Sequence, residues 1–277
     1  MTDRGLLYCR DLGAACHPIV FLPGVGGTTR YWASRVEPLA IEHRIRLVDL
    51  LGFGHSPKPW LVRYSVERHL DELDRVLKHA VFPDRFTLVG HSFGAIMAVA
   101  YAARWPERVR GLVLFSLPNF GGEQRAIRWF RQRGTAEGWL LSNAVLAAIT
   151  CLVTRRVVRR VLPRLLPDMP REVVEDLVAH TWRSSTSTLW EGVYRHDVFR
   201  DAVRVPPQLP VLLIHGDQDT TAPLAGVTRL VDQLPHWSLR VLPGVDHHPF
   251  LRQTTACIDA LRAFLEPNRG LAGSDET

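Results

Sequence analysis

The chain has 277 residues, carries a formal charge of +6 and is 46% hydrophobic. Its length suits a single domain that carries an insertion, and its apolar content is enough for a large core. The charge results from 34 basic and 28 acidic residues, and so small and mixed a balance argues against a nucleic-acid-binding protein.

The predicted elements alternate between strands and helices, which is typical of a mostly parallel, twisted sheet with helices on both faces. The predicted strands are 6–10, 19–22, 46–49, 86–89, 111–115, 211–215 and 239–242. The predicted helices are 29–40, 66–79, 93–104, 224–233 and 249–264. Between about 117 and 207 the alternation stops and the sequence becomes helical and arginine-rich. We therefore predict a core at 1–116 and 208–266, a helical cap insertion at 117–207 and a disordered tail at 267–277.

The cysteines and the N-terminus indicate a cellular location. The four cysteines form no C-x-x-C pair and no disulfide framework, and the first residues lack the apolar core of a signal peptide. The longest apolar stretch, 139–153, is too short to span a membrane and includes polar residues. We therefore expect a reduced, cytoplasmic protein without a transmembrane helix. The cysteines are Cys9, Cys16, Cys151 and Cys257.

A serine occupies a predicted strand-to-helix junction. The sequence Gly90-His91-Ser92-Phe93-Gly94 follows strand 86–89 and opens the helix 93–104. A serine at the tip of so sharp a turn has a strained backbone, and glycines two positions away on each side avoid collisions with the strand and the helix. This context favours Ser92 as a nucleophile over an ordinary Gly/Ser turn.

Acidic and imidazole side chains follow two later strands. Strand 211–215 leads to a turn that contains Asp217 and Asp219, and strand 239–242 leads to one that contains His247 and His248. Ligands in such sheets bind at the carboxyl ends of the strands. A base and an orienting acid are therefore available on the same edge as Ser92.

These motifs resemble the α/β-hydrolase superfamily, of the type with a serine nucleophile and a helical cap. Residues 22–27 are similar to the family's oxyanion loop, 49–56 to its D-x-x-G-x-G-x-S turn and 216–219 to its G-x-x-D acid turn. The chain order Ser, Asp, His is also that of this family. The resemblance covers about residues 20 to 250 and implies the α/β-hydrolase fold and an esterase- or lipase-like activity.

The resemblance implies a choice within each duplicated pair. The family's acid is the last residue of G-x-x-D, which is Asp219, and its histidine commonly stands two positions before a proline, which is His247. Asp217 and His248 are then interpreted as turn residues. His91 is interpreted as a packed structural histidine, because adjacent side chains on a tight turn diverge.

The resemblance also implies backbone N–H donors for an oxyanion at Val25 and Phe93. The family often has His-Gly where this chain has Pro23-Gly24. Neither expected donor is a proline, although the hydrogen bonds around the loop must differ. A flexible turn is the alternative for this glycine-rich loop, and the absence of both phosphate-loop patterns argues against a nucleotide site.

Two features of the predicted cap have open interpretations. Trp129, Trp139, Trp182 and Trp190 either line an apolar pocket or form the cap's own core, and for each one we favour the core. Arg155, Arg156, Arg159 and Arg160 recur on one helical face. They contact an anionic membrane surface, attract an anionic substrate or are simply solvated, and we favour the solvated face over peripheral membrane contact.

The sequence therefore predicts a serine hydrolase that cleaves an ester or related acyl bond of a small molecule with an apolar acyl or ring portion. It indicates no oligomeric state. Ser92, His247 and Asp219 act without metal or organic cofactor. The alternative is a lyase, acyltransferase or cyclase with the same fold and residues. A non-catalytic binding protein is disfavoured by the complete set of motifs, and an aspartate nucleophile is disfavoured because the turn carries serine.

Overall fold

The computed structural model describes residues 5–15, 17–79, 82–153 and 168–266. Its strands form one seven-stranded sheet in the order β1-β3-β2-β4-β5-β6-β7. β1 is antiparallel to β3 and every other neighbouring pair is parallel, so the predicted mostly parallel sheet is confirmed. The strands are β1 Cys9–Leu12, β2 Pro18–Leu22, β3 Arg44–Val48, β4 Phe86–His91, β5 Val109–Phe115, β6 Val211–Gly216 and β7 Trp237–Leu242.

The central strands are buried on both faces, which explains their nearly continuous apolar sequences. Successive side chains alternate between the two faces. In β4, for example, Leu88 packs in the core on one face and Val89 in the core on the other. In register, Val89 pairs with Phe21 of β2 and with Val113 of β5.

Helices cover both faces of this sheet. The α-helices are α1 Ala33–Val36, α2 Val66–His79, α3 Phe93–Arg104, α4 Glu123–Gln132, α5 Ala136–Leu141, α6 Ala144–Val153, α7 Arg171–Asp176, α8 Trp182–Ser187, α9 Val198–Ala202, α10 Leu224–Gln233, α11 Pro249–Arg252 and α12 Thr254–Leu265. Short 3₁₀ helices lie at Thr29–Tyr31, Glu37–Leu39 and Pro106–Arg108, and a π-helix at Thr188–Tyr194. α2, α3 and α10 contribute to one core, and α1 and α12 to the other.

Three predicted elements differ from the structure. The single helix expected at 29–40 is divided into Thr29–Tyr31, α1 and Glu37–Leu39, and Pro38 cannot donate a hydrogen bond in this stretch. The helix expected at 249–264 is interrupted at Gln253, whose φ of −129° and ψ of 58° are not helical. The first strand lies at 9–12 instead of 6–10, because its pairing with β3 sets its bounds.

Helices α4 to α9 and the π-helix all lie between β5 and β6, in the segment predicted to be a cap. The four arginines at 155, 156, 159 and 160 and the tail predicted at 267–277 lie outside the described residues. Among the described helices, none is both long enough and apolar enough to cross a membrane.

Candidate active site

Ser92 lies on a strained turn between β4 and α3. Its φ of 52° and ψ of −118° are unusual for a residue with a side chain. A Cβ atom on Gly90 would lie 2.3 Å from the Gly94 oxygen, and one on Gly94 would lie 2.1 Å from the Leu22 oxygen. The G-x-S-x-G spacing is therefore a steric requirement of this turn.

His247 faces Ser92 and Asp219 at the same time. Its Nδ1 lies 2.8 Å from Asp219 Oδ2, and its Nε2 lies 3.0 Å from Ser92 Oγ. Because an ionised carboxylate only accepts, Nδ1 carries the proton and Nε2 accepts from the serine hydroxyl. The three side chains come from turns after β4, β6 and β7, which end at the same edge of the sheet.

The buried carboxyl of Asp219 is held by further donors. Its Oδ1 accepts from the backbone N–H of Thr221 at 2.9 Å and of Ala222 at 2.7 Å. Burial opposes the charge, but the hydrogen bonds from His247 and Ala222 and the nearby imidazoles outweigh it, so the pKa of Asp219 is below its usual value. Asp219 is therefore ionised at neutral pH.

The structure places the other member of each pair elsewhere. Asp217 is exposed and accepts a hydrogen bond from the Gly244 N–H at 2.7 Å, as a turn residue does. His248 lies beside the site, and its backbone N–H donates to Asp246 Oδ1 at 2.9 Å. Burial, together with the neighbouring His247, lowers the pKa of His248 to about 4. Ser92 is thus brought together with Asp219 and His247.

His91 has a role in the geometry that the sequence did not indicate. Its ring is buried and stacks on Tyr31, with centroids 4.8 Å apart and planes 17° apart. Its Nε2 donates to the backbone carbonyl of His247 at 2.8 Å. Burial and the two neighbouring imidazoles hold the pKa of His91 well below its usual value. His91 is a neutral donor that fixes the His247 turn; its position next to the serine was the one available signal.

The glycine-rich loop after β2 approaches Ser92 closely. A Cβ on Gly24 would lie 3.0 Å from the Ser92 Cβ, and Gly27 N–H donates to the Gly24 carbonyl at 3.0 Å. Val25 lines the cavity above the serine. Phe93 is the first residue of α3, so its N–H has no acceptor within the helix. Phe93 thus directly follows Ser92, and Val25 lies on the loop that approaches it.

The motif at 49–56 anchors the chain after this loop by hydrogen bonds. Asp49 follows β3 and is fully buried. Its Oδ1 accepts from the Thr29 N–H at 2.6 Å, and its Oδ2 accepts from the His55 N–H at 2.8 Å. Ser56 Oγ donates to the Asp49 carbonyl at 2.5 Å. These bonds tie the chain that follows the glycine-rich loop to the end of β3.

A cavity of about 370 Å³ opens over Ser92 and His247. The segment between β5 and β6 supplies much of its wall, and none of its described lining residues is Asp, Glu, Lys or Arg. Trp129, Trp139, Trp182 and Trp190 are absent from that lining. Trp190 is buried in the core as predicted, whereas the core position predicted for Trp139 is wrong, because its side chain is 55% exposed. The aromatic and aliphatic part of the wall includes Phe120, Phe130, Leu141, Leu189, Val193 and Tyr194.

A sequence model of the alpha/beta hydrolase fold family matches residues 17–253. The chain belongs to this family. A thermophilic esterase from Thermogutta terrifontis superimposes with a TM-score of 0.71 at 19% identity, covering 95% of this chain and 93% of the esterase. At that identity the likeness establishes the fold alone, and the predicted α/β-hydrolase fold is confirmed.

Curated relatives match smaller parts of their own length. The probable lysophospholipase BODYGUARD 1 of Arabidopsis thaliana is 26% identical over 254 residues, which are 83% of this chain and 54% of the relative. A 1-acylglycerol-3-phosphate O-acyltransferase of Rattus norvegicus is 33% identical over 128 residues, which are 43% of this chain and 36% of the relative. This chain spans about half the length of the lysophospholipase relatives it matches.

In this α/β-hydrolase, the π-helix packs directly on the serine turn. A Cβ on Gly192 would lie 2.4 Å from the ring of Phe93, so only glycine allows this approach. The Phe93 ring also contacts His69 edge to face, with centroids 5.0 Å apart. The residue that would supply an oxyanion donor is therefore fixed by both the core and the segment between β5 and β6.

Proposed function

We propose that this α/β-hydrolase is a serine hydrolase that cleaves an ester or related acyl bond of a largely apolar small molecule. The observation that carries the proposal is the hydrogen-bonded series from Ser92 through His247 to Asp219. In this proposal the three residues form a catalytic triad, and the segment 117–207 is a cap that selects the substrate.

In the first step, Ser92 Oγ attacks the carbonyl carbon as His247 Nε2 takes the hydroxyl proton. Asp219 keeps Nδ1 protonated and stabilises the positive imidazolium. The N–H groups of Val25 and Phe93 donate to the oxyanion, each contributing roughly 3 kcal/mol to transition-state stabilisation. The tetrahedral intermediate collapses as His247 gives its proton to the leaving alcohol, which leaves the acyl group on Ser92.

Water completes the cycle. His247 Nε2 takes a proton from water, whose oxygen attacks the acyl carbonyl. The second tetrahedral intermediate expels Ser92 Oγ, which recovers its proton from His247, and the carboxylic acid departs. Because Asp219 is ionised, it supports the imidazolium in both halves of the reaction.

The cavity supports an apolar substrate. Its volume of about 370 Å³ lies within the usual range of roughly 300–1,000 Å³ for small-molecule sites. Its described lining offers no charged partner for a carboxylate or a phosphate, so a buried anionic group would be costly. An acyl chain or a ring among Phe120, Phe130 and Leu189 fits this lining. The lysophospholipase and esterase names of the relatives agree with acyl-bond cleavage.

Acyl transfer is the second candidate, because one relative is named an acyltransferase. It would follow the same path to the acylated Ser92, with an alcohol replacing water in the second half. The ratio of transfer product to free acid, measured with added glycerol or another alcohol, distinguishes the two reactions. A ratio dominated by free acid favours hydrolysis.

The test combines covalent labelling with a graded substrate series. We expect a fluorophosphonate probe to label the protein at Ser92, and p-nitrophenyl esters of increasing acyl length to give a clear optimum in kcat/KM. Ser92→Ala should lose labelling and turnover while its circular dichroism spectrum is unchanged. Labelling that persists in folded Ser92→Ala would refute the proposed nucleophile.

A further inference from the structure

In helix α6 the small apolar side chains face the core and the large ones face the solvent. This is the reverse of the arrangement expected for a helix in water. Its small residues Ala144 and Ala147 pack against the core. Its large aliphatic residues recur at positions i, i+4 and i+7, and they point outward. Their exposures are 67% for Val145, 39% for Leu146, 51% for Ile149, 41% for Leu152 and 50% for Val153. We call these five residues and Trp139 the apolar face.

Trp139 extends the apolar face from the preceding helix α5. Its side chain is 55% exposed, and the guanidinium of Arg131 lies 6.0 Å from the centre of its ring. Tryptophan has a large apolar ring and one N–H donor, so it is favoured where one side is apolar and the other is wet. Arg131 supplies a positive charge next to this ring.

We propose that the apolar face docks on the surface of an anionic lipid bilayer. α6 contains no charged residue, whereas α4 presents the exposed arginines Arg125, Arg128 and Arg131. The acidic residue of α4, Glu123, is bonded to Arg195 at 2.8 Å. An apolar face with Arg131 beside its tryptophan, and with further exposed arginines on the helix that contacts α5, matches the two forces that bind peripheral helices, which are apolar burial and attraction to anionic headgroups.

The same charges disfavour a second copy of this chain as the occupant. In a two-fold dimer through the apolar face, Arg131 of each copy would lie at the rim of one interface and would add like-charge repulsion to it. α6 has ten residues and is about 15 Å long, so one face of it is too short to bury by itself the roughly 800 Å² per partner of a stable interface.

The apolar face is adjacent to the cavity. Leu141, three residues before α6, lines the cavity, and so does Ser185 of α8, on which α6 packs. A docked molecule would hold this wall of the cavity at the bilayer surface. The docking proposal goes beyond the proposed function and does not depend on it, because binding is measured without turnover.

The test is co-sedimentation of the full chain with vesicles of phosphatidylcholine alone or mixed with phosphatidylglycerol. We expect binding to the mixed vesicles at least ten-fold stronger than to the neutral ones, and weakened by salt. The double variant Val145→Glu, Ile149→Glu should lose at least ten-fold in binding to mixed vesicles. Arg128→Gln and Arg131→Gln should each weaken it roughly five-fold.

Ile41→Glu is the matched control. Ile41 is 83% exposed and precedes β3, at the edge of the sheet opposite to Ser92, so its variant should bind like the wild type. Ser92→Ala should also bind normally, which separates this test from that of the proposed nucleophile. Absence of vesicle binding, or equal loss in Ile41→Glu, would overturn the docking proposal. So would a dimer, detected by light scattering, that the double variant dissociates.

Discussion

His91 Nε2 donates to the backbone carbonyl of His247 at 2.8 Å. The residue before the candidate nucleophile Ser92 therefore holds the turn that carries His247. We predict that His91→Leu lowers kcat about five-fold with little change in KM, since one hydrogen bond is worth about 1 kcal/mol. His91→Gln places an N–H donor at similar reach and should recover most of the rate. Equal rates in both variants would contradict this positioning role.

The two duplicated pairs, Asp217 with Asp219 and His247 with His248, predict a clear contrast in kcat between substitutions of neighbouring residues. Asp219→Asn and His247→Ala should each lower kcat by at least 10³-fold, because the first disturbs the tautomer and the second removes the base. Asp217→Asn and His248→Ala should change kcat less than ten-fold. Steady-state kinetics on the best ester measures all four, and a large loss in Asp217→Asn would reverse the assignment of the acid.

The backbone strain at Ser92 predicts a difference in stability. Glycine adopts a φ of 52° without the cost that a Cβ brings, so Ser92→Gly should be about 1 kcal/mol more stable than Ser92→Ala. Ser187, with a helical φ of −64°, is the control, because there glycine should be less stable than alanine. Urea unfolding at neutral pH measures both differences. The same sign at both positions would contradict strain at Ser92.

Buried histidines predict that the protein loses stability in mild acid. Burial is the main cause that lowers the pKa of His69 to about 3, of His248 to about 4, and of His91 and His215 below their usual values. Above pH 6.5 neither state binds these protons. Below it the unfolded chain binds them and the folded chain does not, so stability falls as the pH decreases toward 4.

His69 allows this pH dependence to be tested away from the serine. Its Nε2 pairs with Thr188 Oγ1 at 3.2 Å, and glutamine places a similar group there without titrating. Between pH 6.5 and 4.5, His69→Gln should reduce the slope of the unfolding free energy by about 1 kcal/mol per pH unit. Urea unfolding at several pH values provides the slopes, and parallel curves for the two proteins would contradict the prediction.

Local sequence patterns predicted most of the sheet but not every boundary. The runs at 86–89 and 211–215 are apolar because both sides of these strands are covered, so their identity could be inferred without knowledge of their neighbours. The helix predicted at 29–40 was wrong, since its apolar residues also suit a series of short turns that pack under the sheet. Its real ends depend on long-range contacts, such as the bond from Thr29 N–H to Asp49.

The sequence by itself determined the fold class and the position of Ser92, because strand periodicity and the sterics of G-x-S-x-G are local properties. It also placed an acidic and an imidazole turn at the correct edge of the sheet. The catalytic roles of Ser92, His247 and Asp219 stay predictions until they are tested. The resemblance indicated Asp219 and His247 within the duplicated pairs, but only the tertiary structure showed that His247 lies within hydrogen-bond distance of both Ser92 and Asp219, because neighbouring residues on a turn differ in direction and not in pattern. It alone also revealed that α6 turns its large side chains outward, since exposure depends on which neighbours pack against each face.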